Sequence, residues 1–351
     1  MPTAPIEVFL ALQLGGVAFF VSLAVAGFAR LGGLGDIPDR RSAHSRTVPT
    51  AGGLGIVAGV GAGTLVAALF HAELLFAQPG VAAKTAAVLA SVFAMGVIGL
   101  LDDRAALPVR GRFTLIVLVA LYTVWSVGSV TMLPFGADHI YLLWWSALAG
   151  SVLWVFVVTN AVNFMDGING FMGATMAVAS GALCMIALRV NAPVTALLAG
   201  TLAASLLGFL PYNLRNRAAV FSGDTGSLPT GFLYAAAVLM LVHEQPELRL
   251  LYAGPLLILP LLADVLLTLV LKPLRGLRFT APHATHIYQR MARQAGRHLP
   301  VTALFTGLTG GLALLVSHAL ERGTLGSVAG LAMMSGLFAC LYAAVSTNLP
   351  D

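Results

Sequence analysis

Charged side chains are scarce in this sequence. Asp, Glu, Lys and Arg make up only 9% of its 351 residues, whereas a soluble domain carries about 25%. Hydrophobic residues make up 58%, and the mean hydropathy is +0.91. Such a composition excludes a water-soluble fold and indicates an integral membrane protein.

Cysteine is also rare, since Cys184 and Cys340 are the only two, and both fall inside apolar stretches. There they are expected to be small apolar packing residues, which argues against a disulfide framework and against a thiolate metal site. The sequence also lacks internal repeats, low-complexity linkers and a soluble segment long enough to fold alone. We therefore predict one transmembrane domain over residues 1–351.

Apolar runs of about 20 residues, the length of a helix that crosses a bilayer, recur throughout the chain. We identify eleven of them and predict an all-α, polytopic integral membrane helix bundle. The first run lacks a basic n-region and a convincing cleavage site, so we expect a retained helix and not a signal peptide. The runs lie near residues 6–29, 51–71, 85–101, 113–133, 141–159, 171–190, 193–210, 229–243, 249–271, 301–319 and 324–346.

The basic residues are distributed unevenly between the two sides of this predicted bundle. If the N-terminus is outside and the C-terminus inside, the inside loops hold fifteen of the 19 Lys and Arg residues. The positive-inside rule therefore predicts an N-out, C-in orientation. A basic cytoplasmic face suits anionic lipids and phosphates, and no basic module stands clear of the membrane to bind nucleic acid. The four basic residues left outside are Lys84, Arg189, Arg249 and Arg322.

Five polar stretches interrupt the apolar sequence, and all of them fall on the predicted cytoplasmic side. The outside loops, such as HAELLFAQPG, contain no comparable group. This arrangement predicts a cytoplasmic site built from loops 32–50, 102–112, 160–170, 211–228 and 272–300. The polar stretches are DIPDRRSAHSRTVPTAGG (36–53), LDDR (101–104), NAVNFMDGING (160–170), FSGDTGS (221–227) and PHATHIYQRMAR (282–293).

Four carboxylates stand at or near the ends of predicted spans: Asp102, Asp103, Asp166 and Asp224. A carboxylate near the membrane boundary is costly unless it is paired, hydrated or bound to a cation. Converging carboxylates and amide oxygens suit a divalent ion such as Mg²⁺, which commonly serves a phosphate-bearing substrate. Two alternatives stay open: the adjacent aspartates could be a helix-end cap with Arg104, and NAVNFMDGING could be a glycine-rich turn.

FSGDTGS combines flexible, acidic and aromatic residues in seven positions. Gly223 and Gly226 allow the backbone to approach a phosphate, whose oxygens consecutive amides can bind. Asp224 could hold the metal that neutralises that phosphate, and Phe221 offers a flat face on which a base can stack. The alternative is a helix N-cap for the span that follows. The capping candidates are Asp224, Thr225 and Ser227.

In order and residue type, these stretches resemble the polyprenyl-phosphate N-acetylhexosamine-1-phosphate transferase superfamily (glycosyltransferase family 4), which includes MraY-like and WecA-like enzymes. The matching motifs are D-x-P-D-x-R-x-x-H with P-T-A-G-G, then DD, NAVNFMDGING, FSGDTGS and a last loop with histidines, and they cover residues 36–293. The last loop departs from the histidine-rich MraY form. HATHIYQR is more similar to the H-x-x-H-x-Y-Q loop of the WbpL-like, O-antigen-initiating branch.

The resemblance implies a reaction at the cytoplasmic face of the bacterial inner membrane. A UDP-N-acetyl-hexosamine would react with undecaprenyl phosphate to give undecaprenyl-diphospho-sugar and UMP. The whole chain would then be one catalytic domain, with Mg²⁺ or Mn²⁺ as the cofactor. An O-antigen-type donor carrying N-acetylfucosamine (FucNAc), N-acetylquinovosamine (QuiNAc) or N-acetylglucosamine (GlcNAc) is expected. A homodimer is compatible with the resemblance.

The resemblance also implies roles for individual residues. Asp224 and Asn163 would hold Mg²⁺, while Asp102 and Asp103 would lie at the attacking lipid phosphate, which Arg112 would grip. His44 belongs to the first motif, where a structural role is equally open. The nucleotide would contact Phe221, Asn169 and Asp166, and the sugar and diphosphate would contact His283, His286, Gln289 and Arg290.

Several mechanistic and functional alternatives remain. A phosphate monoester has a second pKa of about 6 and is mostly dianionic at neutral pH, so a strong general base is not essential and direct attack is favoured over a covalent phospho-aspartate. A transporter or flippase for a sugar nucleotide or lipid-linked sugar is the second class, although transporters place polar groups near the midplane. Asp264, inside its predicted span, fits a polar bridge between helices better than a transport path. An inactive scaffold is disfavoured because the acids are intact.

Overall fold

The structure, a computed structural model, describes residues 4–31, 35–36, 48–76, 79–135, 138–245, 247–274 and 286–324. Within these residues, nine helices of 18 to 25 residues are long and apolar enough to cross a membrane. Helices form here because only a helix or a closed barrel satisfies every backbone N–H and C=O in hydrocarbon. The chain is a polytopic membrane helix bundle, as predicted.

The helices begin and end close to the predicted apolar runs. Two short antiparallel strand pairs accompany them: β1 (Gly35–Asp36) with β2 (Val48–Pro49), and β3 (Met132–Phe135) with β4 (Asp138–Tyr141). The helices are α1 (Ala4–Leu31), α2 (Gly53–Phe70), α3 (Glu73–Phe76), α4 (Val81–Ala105), α5 (Val109–Val127), α6 (Trp144–Phe164), α7 (Phe171–Arg189), α8 (Pro193–Asn213), α9 (Asp224–Glu244), the 3₁₀ helix Leu248–Tyr252, α10 (Ala253–Leu257), α11 (Leu259–Leu274), α12 (Ile287–Ala295) and α13 (Leu299–Glu321).

The ninth predicted run is a broken helix and not one straight span. Segments Arg249–Leu257 and Leu259–Val270 are bent by 74°. Pro260 follows the break, and proline lacks the N–H that would continue the helical hydrogen bonding. With the bent pair counted as one span, the described residues contain ten of the predicted spans. The eleventh run, 324–346, lies outside the described residues except for Thr324.

Helix α9 is the centre of the bundle. In its apolar 18-residue core segment, 94% of the residues are buried inside the protein, whereas the corresponding fraction is 22% in α1 and in α5. It packs against α4, α6 and α8. Because FSGDTGS leads directly into α9, the first residue of this helix, Asp224, lies on the axis of the bundle at one end.

Glycines let two neighbouring helices approach the start of α9 closely. A Cβ atom on Gly99 of α4 would lie 2.2 Å from the carbonyl oxygen of Asp224. A Cβ atom on Gly53 of α2 would lie 2.2 Å from the amide nitrogen of Gly226. Small residues are the usual means of close helix packing in membranes, and here they bring α2 and α4 against FSGDTGS.

The opposite end of the bundle has the character of a membrane interface. Strands β3 and β4 form a hairpin there, and Trp125, Trp144 and Trp145 are exposed nearby. Exposed tryptophans at a bundle end are typical of the aromatic belt at the lipid headgroups. Polar contacts at this end include the ion pair of Arg189 with Glu321 and the hydrogen bonds that the amides of Val194 and Thr195 donate to Glu244.

Candidate active site

The polar stretches meet at the end of the bundle where α9 begins. The amides of Gly52 and Gly53 donate to the carbonyl oxygens of Phe221 and Ser222, at 3.0 and 3.1 Å. The amide of Phe221 donates to Pro49 at 2.8 Å. The described part of the first polar stretch is therefore joined by backbone hydrogen bonds to FSGDTGS, where Phe221 itself is half-buried.

Asp103 caps α9 from the neighbouring helix α4. Its carboxylate accepts the amides of Asp224 and Thr225 at 2.8 and 3.0 Å, and the Thr225 hydroxyl at 2.6 Å. Free amides and the helix dipole make a helix N-terminus attractive to an anion. The sequence predicted a phosphate at amides of this turn, but in the structure the amides of Asp224 and Thr225 bind Asp103. Gly223 has φ 63° and would clash with Asp103 if it carried a side chain.

Arg112 joins the other two acids of the cluster. Its Nη1 atom donates to Asp102 Oδ2 at 2.7 Å and to Asp224 Oδ2 at 3.1 Å. The side chains of Arg112, Asp102 and Asp224 are 18%, 9% and 25% exposed, respectively, so their charges are partly desolvated. Asp102 also accepts the amide of Leu107 at 2.7 Å, which closes the turn between α4 and α5. The adjacent aspartates therefore face different partners.

Asn163, at the end of α6, completes this cluster. Its Nδ2 donates to Asp224 Oδ1 at 2.7 Å and to Ser227 Oγ at 2.8 Å. Asp224 is thus contacted by α5 on one oxygen and by α6 on the other. We call Asp102, Arg112, Asn163 and Asp224 the acid cluster.

The acid cluster has donor chemistry that fits Mg²⁺. Carboxylate and amide oxygens are the ligands this ion prefers, and it commonly binds through one or two carboxylates, waters and substrate phosphates. Within the described ranges, no three His, Cys, Asp or Glu side chains form a closed metal site.

Asp166 lies in the loop between α6 and α7, beside the acid cluster. It accepts a hydrogen bond from the hydroxyl of Ser222. Desolvation is the largest of the effects that raise the pKa of Asp166 to about 8. The charges of Asp224 and Asp103 act in the same direction, and the hydroxyl of Ser222 acts against them. These surroundings favour the protonated form of Asp166 more than those of an ordinary surface aspartate do.

Asn169 lies in the same loop. Its side chain is buried and donates to the carbonyl oxygen of Arg215 at 2.8 Å, and its backbone carbonyl oxygen accepts the Thr302 hydroxyl at 2.9 Å. The side-chain nitrogen of Asn169, which the sequence assigned to the edge of a base, therefore donates a hydrogen bond to the backbone after α8.

The last loop reaches the site through the short helix α12. Tyr288 donates to the carbonyl oxygen of Phe164 at 2.9 Å, and Gln289 donates to the Tyr288 hydroxyl at 3.1 Å. His286 stacks near the ring of Phe164, with centroids 6.5 Å apart, and Arg290 is buried. Since Phe164 follows Asn163, this loop lies beside the acid cluster. Of the predicted site residues, His44 and His283 lie outside the described residues.

Some residues of the site were not singled out from the sequence. Asn213, at the end of α8, accepts the amide of Gly170 at 2.7 Å and donates to the carbonyl oxygen of Val220 at 2.9 Å. It therefore joins NAVNFMDGING to FSGDTGS. A lone asparagine at the end of an apolar run was its only signal. Ser222 stood in a quoted motif, but its partner could not be read from spacing.

Taken together, the fold and this site define a polytopic membrane protein with the acid cluster at one end of its helix bundle. The sequence profile of glycosyl transferase family 4 matches residues 85–242, which include the acid cluster. The phospho-N-acetylmuramoyl-pentapeptide-transferase of Desulforudis audaxviator (strain MP104C) is 34% identical over 255 residues, covering 66% of this chain and 72% of that relative. The chain therefore belongs to glycosyl transferase family 4, the superfamily of polyprenyl-phosphate N-acetylhexosamine-1-phosphate transferases.

Two other relatives align over more of the chain. One from Bacillus subtilis (strain 168), named "Probable undecaprenyl-phosphate N-acetylglucosaminyl 1-phosphate transferase", is 29% identical over 287 residues, which cover 78% of this chain and 76% of the relative. The decaprenyl-phosphate N-acetylglucosaminephosphotransferase of Mycobacterium tuberculosis (strain ATCC 25618 / H37Rv) is 28% identical over 308 residues, with 79% and 73% covered. These names support a membrane transferase of sugar phosphates as the coarse class.

Proposed function

We propose that this chain transfers an N-acetylhexosamine 1-phosphate from a UDP-sugar to undecaprenyl phosphate. An oxygen of the lipid phosphate attacks the sugar-linked phosphorus. The bond from that phosphorus to the bridging oxygen breaks, so UMP leaves with the bridging oxygen and undecaprenyl-diphospho-sugar remains. The observation that carries the proposal is the acid cluster, Asp102, Arg112, Asn163 and Asp224, in a chain whose relatives are named for this type of transfer.

Two buried polar atoms support the assignment of substrate contacts. Arg112 Nε, a donor, and Gln289 Oε1, an acceptor, have no hydrogen-bond partner within the part of the chain that the structure describes. Leaving such an atom unpaired costs about 1–3 kcal/mol, so both atoms would gain from a ligand. We assign Arg112 Nε to the lipid phosphate and Gln289 Oε1 to an amide or hydroxyl group of the donor sugar.

Asp224 and Asn163 would hold Mg²⁺ (or Mn²⁺), which when bound neutralises the charge on the donor diphosphate. Arg112, already positioned by Asp102, would bring the second anion close to the first. Because the lipid phosphate is mostly dianionic at neutral pH, direct attack needs no strong base. We favour it over a phospho-aspartate, since both Asp102 and Asp224 are engaged by Arg112.

The remaining assignments concern the donor. Phe221 would stack on the uracil, and Asp166 would contact the nucleotide. Asn169 is assigned to the uracil only through its side-chain oxygen, since its nitrogen donates to Arg215. The last-loop residues His283, His286 and Arg290 would line the sugar–diphosphate pocket, with Asp103 and His44 supporting the lipid side.

We further propose that the active site faces the cytoplasm of a bacterial inner membrane and that the product initiates an O-antigen or another surface polysaccharide. The last loop, HATHIYQR, motivates the O-antigen branch, with FucNAc, QuiNAc or GlcNAc as the transferred sugar. Transport is disfavoured, because the polar side chains of the site come from helix ends and the loops between them.

A donor panel tests this proposal. The purified protein is incubated with undecaprenyl phosphate, Mg²⁺ and each radiolabelled UDP-sugar, and the butanol-soluble product is counted. One of the three donors is expected to give labelled lipid and stoichiometric UMP. Preference for UDP-MurNAc-pentapeptide would contradict the branch assignment, and uptake of sugar nucleotide into vesicles without UMP release would favour transport.

A further inference from the structure

A buried carboxylate outside the acid cluster connects the membrane-spanning part of the chain to the last loop. Asp264 lies on α11 with 1% of its surface exposed. A carboxylate removed from water is strongly unfavourable unless donors surround it. The hydrogen bonds that Asp264 accepts show which element it holds in place.

Asp264 binds the start of α12. Its Oδ1 accepts the amide of Ile287 at 3.1 Å, and its Oδ2 accepts the amide of Tyr288 at 3.0 Å. The first amides of a helix have no partners within that helix, and α12 has only nine residues. A helix this short is marginal by itself, so the carboxylate of Asp264 contributes directly to its docking on α11.

The same carboxylate contacts a residue that we assign to the substrate pocket. His286 Nδ1 lies 3.2 Å from Asp264 Oδ1. The ring nitrogen that faces Asp264 is therefore Nδ1, and Nε2 is the nitrogen that Asp264 does not contact. The orientation of the His286 ring is thereby constrained from α11.

The other side of α12 is fixed on the loop after α6. Tyr288 packs against Phe171, with ring centroids 4.6 Å apart, and donates to the carbonyl oxygen of Phe164. A Cβ on Gly167 would lie 2.3 Å from the Tyr288 hydroxyl and 2.7 Å from Gln289 Nε2. Any shift at the start of α12 is therefore transmitted to His286 and Gln289.

We infer that Asp264 is a positioning residue for the transfer reaction, acting through His286 and the start of α12 and not by touching substrate. This inference rests on the proposed function, because it assigns Asp264 to the sugar–diphosphate pocket. Loss of a group that orients a metal-ligating histidine typically lowers activity about 10–100-fold. The same range is expected here.

A double-mutant cycle separates this role from a purely structural one. Asp264→Asn keeps the side-chain shape and one acceptor oxygen at the start of α12, but it replaces the other acceptor with an NH₂ group and removes the carboxylate beside His286. We expect kcat/KM for the UDP-sugar to fall about 10–100-fold in Asp264→Asn. In a His286→Ala background the same change should have little further effect, because residues that act as a unit are not additive. Equal losses in both backgrounds would overturn the inference.

Glu244→Gln supplies a matched control at the other end of the bundle. Glu244 also caps a neighbouring helix, accepting the amides of Val194 and Thr195 of α8 at 2.9 and 2.8 Å. We expect lower thermal stability in this variant with kcat/KM unchanged. A loss of kcat/KM equal to that of Asp264→Asn would assign both effects to stability alone and overturn the positioning role.

Hydrogen exchange tests the docking without turnover. In full-length Asp264→Ala, the amides of residues 287–295 should exchange faster than in the wild type, while Glu244→Gln should leave them unchanged. Unchanged exchange in Asp264→Ala would refute docking by this carboxylate. If the wild-type chain gives no labelled lipid, the proposed function fails, whereas a fully active Asp264→Asn overturns only the positioning role.

Discussion

The two aspartates of the acid cluster have different roles, and each role can be tested by a separate substitution. Asp102→Asn removes the charge that positions Arg112, and Asp224→Asn removes the charge shared by Arg112 and Asn163. Each variant is expected to lose at least ~100-fold in kcat, the scale found when one major electrostatic contact to a reacting group is removed. The labelled-lipid assay measures this loss. Wild-type rates in both would mean that these acids only support the helix ends.

The proposed Mg²⁺ site at Asp224 and Asn163 can also be tested at the residue scale. If Asp224 and Asn163 share an ion with the donor diphosphate, EDTA should abolish transfer and added Mg²⁺ should restore it. Mn²⁺ is expected to substitute, since it accepts the same oxygen ligands. The measurement is the initial rate of UMP release across a metal titration, in which Asp224→Asn should need more Mg²⁺ than the wild type. Full activity in EDTA would remove the metal from the site.

At the residue scale, the sequence predicted which stretches would meet but not the individual contacts. Adjacent helical residues lie about 100° apart, and Asp102 and Asp103 accordingly contact different partners, Arg112 and the start of α9. That Asp103 would cap α9 could not be foreseen, because Thr225 lies 122 positions away and no local pattern encodes that pairing. Residue types predict chemistry, whereas partners depend on how the helices pack.

At the scale of elements, the close approach of α2 to α9 depends on one missing side chain. Gly53→Ala would place a methyl group against the backbone of Gly226 and Ser222, which cannot rotate away. We expect a displaced FSGDTGS turn, destabilisation by about 1–3 kcal/mol and a large loss of activity. Gly61→Ala on the same helix is the control, because nothing lies within 4 Å of its Cβ position. Thermal unfolding in detergent and the transfer rate should differ between the two variants; equal behaviour would contradict the close-packing argument.

The helices themselves were largely predictable, because an apolar run must be helical in hydrocarbon. The break between α10 and α11 was not predicted, although Pro255 and Pro260 lie around it. Proline is tolerated in membrane helices when neighbours satisfy the freed carbonyl groups, so its presence does not distinguish a bend from a straight span. Asp264, six positions beyond Ile258, was correctly interpreted as a bridge, but its partner α12 lies in a later polar stretch.

At the scale of the whole molecule, the structure shows which residues lie at each end of the helix bundle. The distribution of Lys and Arg then predicts which end faces the inside of the cell. The acid cluster, α12 and the start of α9 lie at one end. Arg189, paired with Glu321, and Arg249, which donates to the carbonyl oxygen of Gly323, lie at the other. All four basic residues predicted to be outside therefore lie at the end of the bundle remote from the acid cluster: Lys84 at the start of α4, Arg189 at the end of α7, Arg249 after α9 and Arg322 after α13.

A labelling experiment in intact cells decides the orientation. In a background with Cys340→Ser and the buried Cys184 retained, single cysteines are introduced as Gln245→Cys, after α9, and Arg293→Cys, on α12. The positive-inside rule predicts that an impermeant thiol reagent labels the first and not the second. Permeabilised cells should label both, which controls for local burial, and retained transfer activity controls for folding. The reverse pattern would place the acid cluster outside, where UDP-sugars made in the cytoplasm could not reach it.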